Sequence, residues 1–319
     1  MEILYHSLKV NIKTLANLKN WGDEKMEVVN LNQPLDLTVS LNSEPCVMAL
    51  GFFDGVHKGH RKIIETAKEI AEKEKIKFTV MTFFPHPSNI ISKTKKIDHY
   101  LSPLSVKKEM FKSLGVEKLF IVNFNADFSK FSHQQFVEQY IVGLKCQHVV
   151  AGFDFTYGFK GLGNMQEMVS DSNGRFQITT ISKLEHNHEK ISSTIIREKL
   201  KLGEVHHIPL YLDDYYSIKG KVVRSDQLNC NESIVTIEID HSYYLPKKGS
   251  YKVKVASDYS SSSGTIDVRN HNTGAIEVQL DNSIMHFNES NITLYFIKQE
   301  IGEQKNGKTE EYDKMSIVI

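Results

Sequence analysis

At 319 residues, with 40% hydrophobic and 24% charged positions, the chain has the make-up of a folded protein of two ordinary domains, which excludes a disordered one. Lysine plus arginine and aspartate plus glutamate both total 39, so net charge points to neither nucleic acid nor a membrane surface as a partner. No run reaches the ~18 apolar residues of a membrane helix, the opening MEILYHSLKVNIKTL lacks a signal-peptide core, and the widely spaced Cys46, Cys146 and Cys230 fit reduced thiols, so a cytoplasmic protein is expected.

Residues 1–44 alternate weakly and read as a strand-rich lead-in packed on the first domain. CVMALG (46–51) is a buried-strand candidate, followed by a glycine-rich turn. From about Gly59 the residues Ile63, Ile64, Ala67, Ile70 and Ala71 recur at helical spacing with charges between them. FTVMTFF (78–84) is the next strand, closed by PHP; Ser105 to Leu114 reads as a helix, KLFIVNF (118–124) as a strand and Ser132 to Leu144 as a helix. HVVAGF (148–153) and FQITTIS (176–182) complete the strands, and ISSTIIREKLKLG (191–203) is a helix started by Ser192 or Ser193 and stopped by Gly203. Apolar strands alternating with helices predict a parallel α/β sheet covered on both faces over residues 45–208.

After Pro209 the texture changes. Short alternating stretches (YYSIKGKVV, SIVTIEID, YKVKVA, TIDVRN, AIEVQL and ITLYFIK) are separated by turn-formers, which predicts a small antiparallel β-barrel or sandwich over 212–319. SDYSSSSG (257–264) reads as a mobile hairpin loop.

GFFDGVHKGH (51–60) joins a buried strand to a helix, the place where a parallel sheet binds ligands. A helix N-terminus favours phosphate, and Gly55 and Gly59 would let it approach the backbone, although neither GxGxxG nor GxxxxGK[ST] is present. His57 and His60 admit other readings: a metal pair completed by Asp54 or His86, acid–base catalysis, or core packing. Asp54 has the alternative of capping its own turn, Ser192–Thr194 that of capping their helix, and Phe53, Phe155 and Tyr157 that of filling the core.

The stretch GFFDGVHKGH resembles the HxGH signature of nucleotidylyltransferases, and specifically the bacterial riboflavin kinase/FAD synthetase family. TFFPHP (82–87), YLSPLSVKKEMFKSLGVEKLFIVNFNADFS (100–129), AGFDFTYGFKGLGN (151–164) and ISSTIIREKLKLGEV (191–205) agree with further segments of that family in its order. The resemblance covers about residues 45–207 and implies a Rossmann-like nucleotidylyltransferase domain. It further implies an FMN adenylyltransferase that takes ATP and FMN to FAD and pyrophosphate, with Mg²⁺ carried mainly by the phosphates and water. By the same resemblance His57, His60 and Arg197 are catalytic; Gly51, Phe52, Phe53, Asp54, Gly59, Ser192, Ser193 and Thr194 serve ATP and its phosphates; and His86, Asp154, Phe155 and Tyr157 serve the flavin or nucleotide.

The family's second domain, a barrel that phosphorylates riboflavin, carries a G-F-P-T-A-N run whose Thr and Asn serve ATP and Mg²⁺; here that region reads GKVVRSDQLNCNESIVTIEI (220–239). Glu277 in AIEVQL stands where the kinase carboxylate would be, and without the loop it reads as a strand residue. The expectation is an adenylyltransferase with a degenerate barrel, acting on small molecules as a monomer or weak homo-oligomer. The alternatives are a flavin- or nucleotide-binding regulatory protein, a bifunctional enzyme with residual kinase activity, or nucleotidyl transfer to another phosphorylated acceptor.

Overall fold

A computed structural model describes residues 26–229, 232–269, 274–281 and 291–300; Cys230 lies outside them, as does the lead-in before residue 26. The chain divides into two compact units. The first runs to Ile195 and takes in Tyr211–Asp213 and Ser242–Tyr244; the second comprises Ile196–Leu210, Asp214–His241 and the chain from Leu245.

Six strands form the sheet of the first unit: β1 (Glu27–Leu31), β2 (Cys46–Leu50), β3 (Lys77–Phe84), β4 (Lys118–Asn123), β5 (Cys146–Gly152) and β6 (Gln177–Ile181). Every pairing in it is parallel, in the order β1-β4-β3-β2-β5-β6, and β7 (Glu185–His186) and β8 (Glu189–Lys190) form a separate antiparallel pair. The two-residue alternation of a strand sends Met48, Leu50, Met81 and Phe120 to one core and Val47, Ala49, Val80 and Leu119 to the other, so both faces are dry. Helix Lys58–Glu74 buries Ile63, Ile64, Ala67 and Ala71, the stripe its spacing predicts, on the second face. Helix Leu104–Ser113 covers the same face. On the other side, Ser132 and Gln135 make a reciprocal cap for His133–Phe136, and the chain then widens into a π-helix over Val137–Val142 instead of the plain helix expected to Leu144. Gly143 N–H reaching Glu138 O marks the widened turn.

The second unit holds a closed antiparallel barrel ordered β10-β13-β12-β11-β14-β9. Its strands are β9 (Ser217–Asn229), β10 (Glu232–Ile239), β11 (Gly249–Ala256), β12 (Ser261–Val268), β13 (Ala275–Leu280) and β14 (Asn291–Glu300). Inward Val235, Ile237, Tyr251, Val253, Val278, Leu280, Leu294 and Phe296 fill it. The mobile loop expected at SDYSSSSG is corrected: only Ser257–Ser260 turn, and Ser261–Val268 pair with β11 along their length. Small side chains are needed because the strands are close there; Ser262 is buried, and a Cβ on Gly264 would stand 2.4 Å from the Gln279 carbonyl oxygen.

Candidate active site

From β2 the chain steps to β3 and β4 on one side and then to β5 and β6 on the other. The reversal lies between the carboxyl ends of β2 and β5, where no strand connection blocks a ligand. Gly51 and Gly152 end those strands, so GFFDGVHKGH and GFDFTYG meet at this point.

The turn after β2 is strained. Phe53, Gly55 and Val56 take φ values of 57°, 77° and 41°, and for Phe and Val the left-handed region costs of order 1–2 kcal/mol each. Contacts from distant parts of the chain hold it. Buried Asp54 accepts the Leu101 and Ser102 amides, each at 3.1 Å, and its carbonyl accepts the Ser193 hydroxyl at 2.8 Å. Asp54 thus ties the turn to segments far along the chain rather than capping it locally. The Phe52 carbonyl accepts Thr82 Oγ1 and Lys107 Nζ, both at 2.9 Å. Phe53 is wholly buried, with its ring edge-on to His60 at 5.3 Å and to Phe111 at 5.8 Å. It props His60 from the core.

His57 takes the N-cap position usually held by Ser, Thr or Asp, and its Nδ1 accepts the His60 amide at 3.3 Å. The two rings stack with centroids 3.5 Å apart. Burial, with Lys190 adding and Asp154 opposing, pushes the His57 pKa down to about 4. Burial first, then His57, Lys107 and Lys190, hold His60 well below the usual histidine range. Both are therefore neutral at pH 7. With Nδ1 of His57 accepting, its proton sits on Nε2. Nδ1 of His60 is buried without a hydrogen-bond partner; an orphaned lone pair is cheaper than an orphaned N–H, which puts that proton on Nε2 too.

His60 lines a cavity of about 370 Å³ together with Gly51, Phe52 and Asp154. The rest of its lining is mainly aromatic: Phe83, Phe124, Phe128, Phe155 and Tyr157 among others. Tyr157 donates to Asp171 Oδ2 at 2.9 Å, and His133 Nδ1 meets the same oxygen at 2.7 Å. Burial and that carboxylate push the Tyr157 pKa up, so its hydroxyl keeps its proton. Gly158 has φ 75°, and a Cβ there would come within 2.6 Å of the His133 amide nitrogen. That glycine lets the loop close under Tyr157.

The expected site residues divide as follows. Gly51, Phe52, Phe53, Asp54, His57, Gly59, His60, Asp154, Phe155 and Tyr157 gather on or behind this cavity within the first unit. Of the SST segment, Ser193 reaches the turn, Ser192 Oγ accepts the Ile195 amide at 3.3 Å as a helix cap, and Thr194 is exposed. Arg197, half-buried on the same helix, falls in the second unit. Pro87 rather than His86 lines the cavity; His86 Nδ1 accepts the Ser88 amide at 3.1 Å and its ring stands edge-on to Phe52 at 4.4 Å. Asp54 and His86 are thus engaged elsewhere and do not complete a metal set with the histidines, and among the described residues no three His, Cys, Asp or Glu side chains are arranged to hold a metal ion.

Two lysines escaped the sequence reading. Lys190 pairs with Asp154 at 2.5 Å and lies over the Phe153 ring. Lys107 is buried beneath the turn. Its signal was available: Leu104, Lys107, Phe111 and Leu114 share one helical stripe, and a lysine there is an anomaly. On the barrel, an open groove of about 670 Å³ lies where β12 and β13 part after three paired residues, and exposed Glu277 lines it.

The FAD synthetase family profile matches residues 39–195. The bifunctional riboflavin kinase/FMN adenylyltransferase of Bacillus subtilis (strain 168) is 41% identical over 231 residues, 72% of this chain and 73% of the relative. The FAD synthetase of Listeria monocytogenes serovar 1/2a is 27% identical over 257 residues, 80% of this chain and 96% of the relative. Among solved structures, that of a macrolide-efflux protein from Streptococcus pneumoniae is similar with a TM-score of 0.72 at 22% identity, over 86% of this chain and 100% of the other, which speaks to the fold alone. No helix among the described residues is long and apolar enough to cross a membrane.

Proposed function

This chain belongs to the FAD synthetase family, and from that premise we propose how its first unit performs adenylyl transfer from ATP to FMN. An oxygen of the FMN phosphate attacks the α-phosphorus of ATP, the bond from that phosphorus to the bridging oxygen breaks, and FAD and pyrophosphate form. The nucleophile is already an anion at neutral pH, so no general base is needed, and catalysis falls to positioning and charge stabilisation.

The observation that carries this reading is the stacked neutral pair of His57 and His60, of which His60 lines an aromatic cavity. With their protons on Nε2, both rings are hydrogen-bond donors for phosphate oxygens. Being uncharged, they bind the triphosphate without holding pyrophosphate too tightly to leave. Lys190 adds a positive charge beside them. The aromatic lining suits an isoalloxazine ring, and Asp171 fixes Tyr157 within that wall. Ser193 shapes the turn, and Arg197 is assigned to the leaving pyrophosphate because it stands in the family's S-S-T-x-I-R pattern. Asp54 gives its carboxylate to two amides and Asp154 pairs with Lys190, so a magnesium ion arriving with ATP would take its ligands from phosphates and water and would offset their charge.

The barrel is assigned no riboflavin kinase activity. Where the kinase loop would stand, β9 and β10 pair as a hairpin from Gly220↔Ile239 to Asn229↔Glu232, with register shifts at Glu232/Ser233 and Thr236/Ile237. The free, buried thiols of Cys46 and Cys146 suit the cytoplasm, and the protein is taken to act as a monomer or weak homo-oligomer. Purified protein with Mg-ATP should make FAD from FMN and no FMN from riboflavin. Absence of FAD would overturn the first statement, and FMN formed at a kinase's rate the second.

A further inference from the structure

Lys107 is the only lysine or arginine among the described residues that is buried, at 1% exposure. Its ammonium donates to the Phe52 carbonyl at 2.9 Å and lies 4.1 Å from the centroid of the Phe52 ring. None of the ion pairs among the described residues includes it. Asp54, the anion that acts on it, gives its two carboxylate oxygens to the Leu101 and Ser102 amides.

Burying an ammonium on such terms is unfavourable. Support of the turn does not require it, since the Thr82 hydroxyl already holds the Phe52 carbonyl. Packing does not require it either: Leu104, Phe111 and Leu114 on the same stripe show that an apolar side chain suits this face. What a methionine could not supply is the charge. That charge stands in a dry place behind a turn whose front lines the cavity, where Coulomb interactions are little screened. It also adds, after burial and His57, to what keeps His60 neutral with its Nε2–H as a donor.

We propose that Lys107 is a positioning residue for adenylyl transfer: acting through Phe52 and the Gly51–His60 turn, its fixed charge stabilises the negative charge that grows on the phosphates in the transition state. This rests on the adenylyltransferase reading above.

The test is Lys107→Met, which keeps the volume and removes the charge. The kcat for FAD formation should fall by about ten- to a hundredfold. The KM for ATP should stay within a few-fold, because a charge behind the turn acts mainly on the transition state. The melting temperature should hold or rise, since a desolvated cation has been removed. Burial pushes the Lys107 pKa down to about 8, with Asp54 of the turn opposing and His60 the other titratable neighbour. In wild-type protein kcat/KM for ATP should therefore decline as pH rises through about 8. The limb in kcat should lie higher, because bound phosphates hold the proton on the lysine. Both limbs should vanish in the variant.

A variant with wild-type kcat, one whose kcat and melting temperature fall together, or one that keeps the alkaline limb would overturn the proposal. The wild-type profile decides even if the variant does not fold, and a profile flat through that pH would sink the idea. Failure of the wild-type protein to make FAD would instead overturn the adenylyltransferase reading, so the two failures are distinct.

Discussion

The turn between Phe52 and His60 puts a buried carboxylate and two neutral histidines over a buried lysine, with two non-glycine residues in left-handed backbone. The barrel, by contrast, buries only Ser233 and Ser262 among its described polar side chains and fills its interior with Val, Ile, Leu and aromatic rings. One region spends stability to hold charge and strain in place; the other only packs. Buried polar groups and forced backbone persist where something beyond folding requires them, which locates chemistry in the first unit independently of any motif.

The comparison can be broken by experiment. His60→Ala should cut kcat by about a hundred- to a thousandfold while moving the melting temperature by no more than a few degrees; proportionate loss of both would mean the turn is scaffold. Gly264→Ala should do the opposite. Its new Cβ meets the Gln279 carbonyl at 2.4 Å, so about 2–4 kcal/mol of barrel stability should go, with FAD formation per folded molecule unchanged. Reduced turnover in folded Gly264→Ala protein would show that the barrel shares in the reaction.

The smallest expected effect is on pH. His57 holds a folded pKa of about 4 against the ordinary 6.5. The unfolded chain therefore takes up a proton in that interval that the folded one refuses, and the first unit should lose stability as pH falls from 6.5 towards 4. Unfolding followed against pH in wild-type and His57→Gln protein checks this. An unchanged acid slope in the variant would remove the histidine from the account.

Periodicity made most of this architecture legible. The almost wholly apolar runs of 46–51 and 148–153 read as strands covered on both sides, and the alternation after Tyr215 as a one-sided sheet. The histidine pair was legible because it followed one of those strands. What the sequence could not reveal was depth. Asp54 read as a ligand contact or a local cap, and its burial under the Leu101 and Ser102 amides was not visible in the sequence; Phe53 is buried too, at the back of the cavity it lines. Nor could the sequence show how Ser192–Thr194 divide: Ser193 reaches the turn, Ser192 caps the helix and Thr194 is exposed. Lys107 was passed over because a charge on a helix is ordinarily a solvated one. The serine run of 257–264 misled for the opposite reason: small residues that suit a loop also suit strands pressed close together.

Asp54 joins residues 47, 48 and 139 positions away in sequence. Each closure must overcome the entropy of the loop it seals before the contact repays it. On a ribosome the turn after β2 emerges early, but its last anchor, Ser193, appears only when nearly the whole first unit has been made. The nascent chain thus carries its histidines through most of the first unit's synthesis without a site, and the capacity to bind nucleotide comes as one event with the completion of that unit.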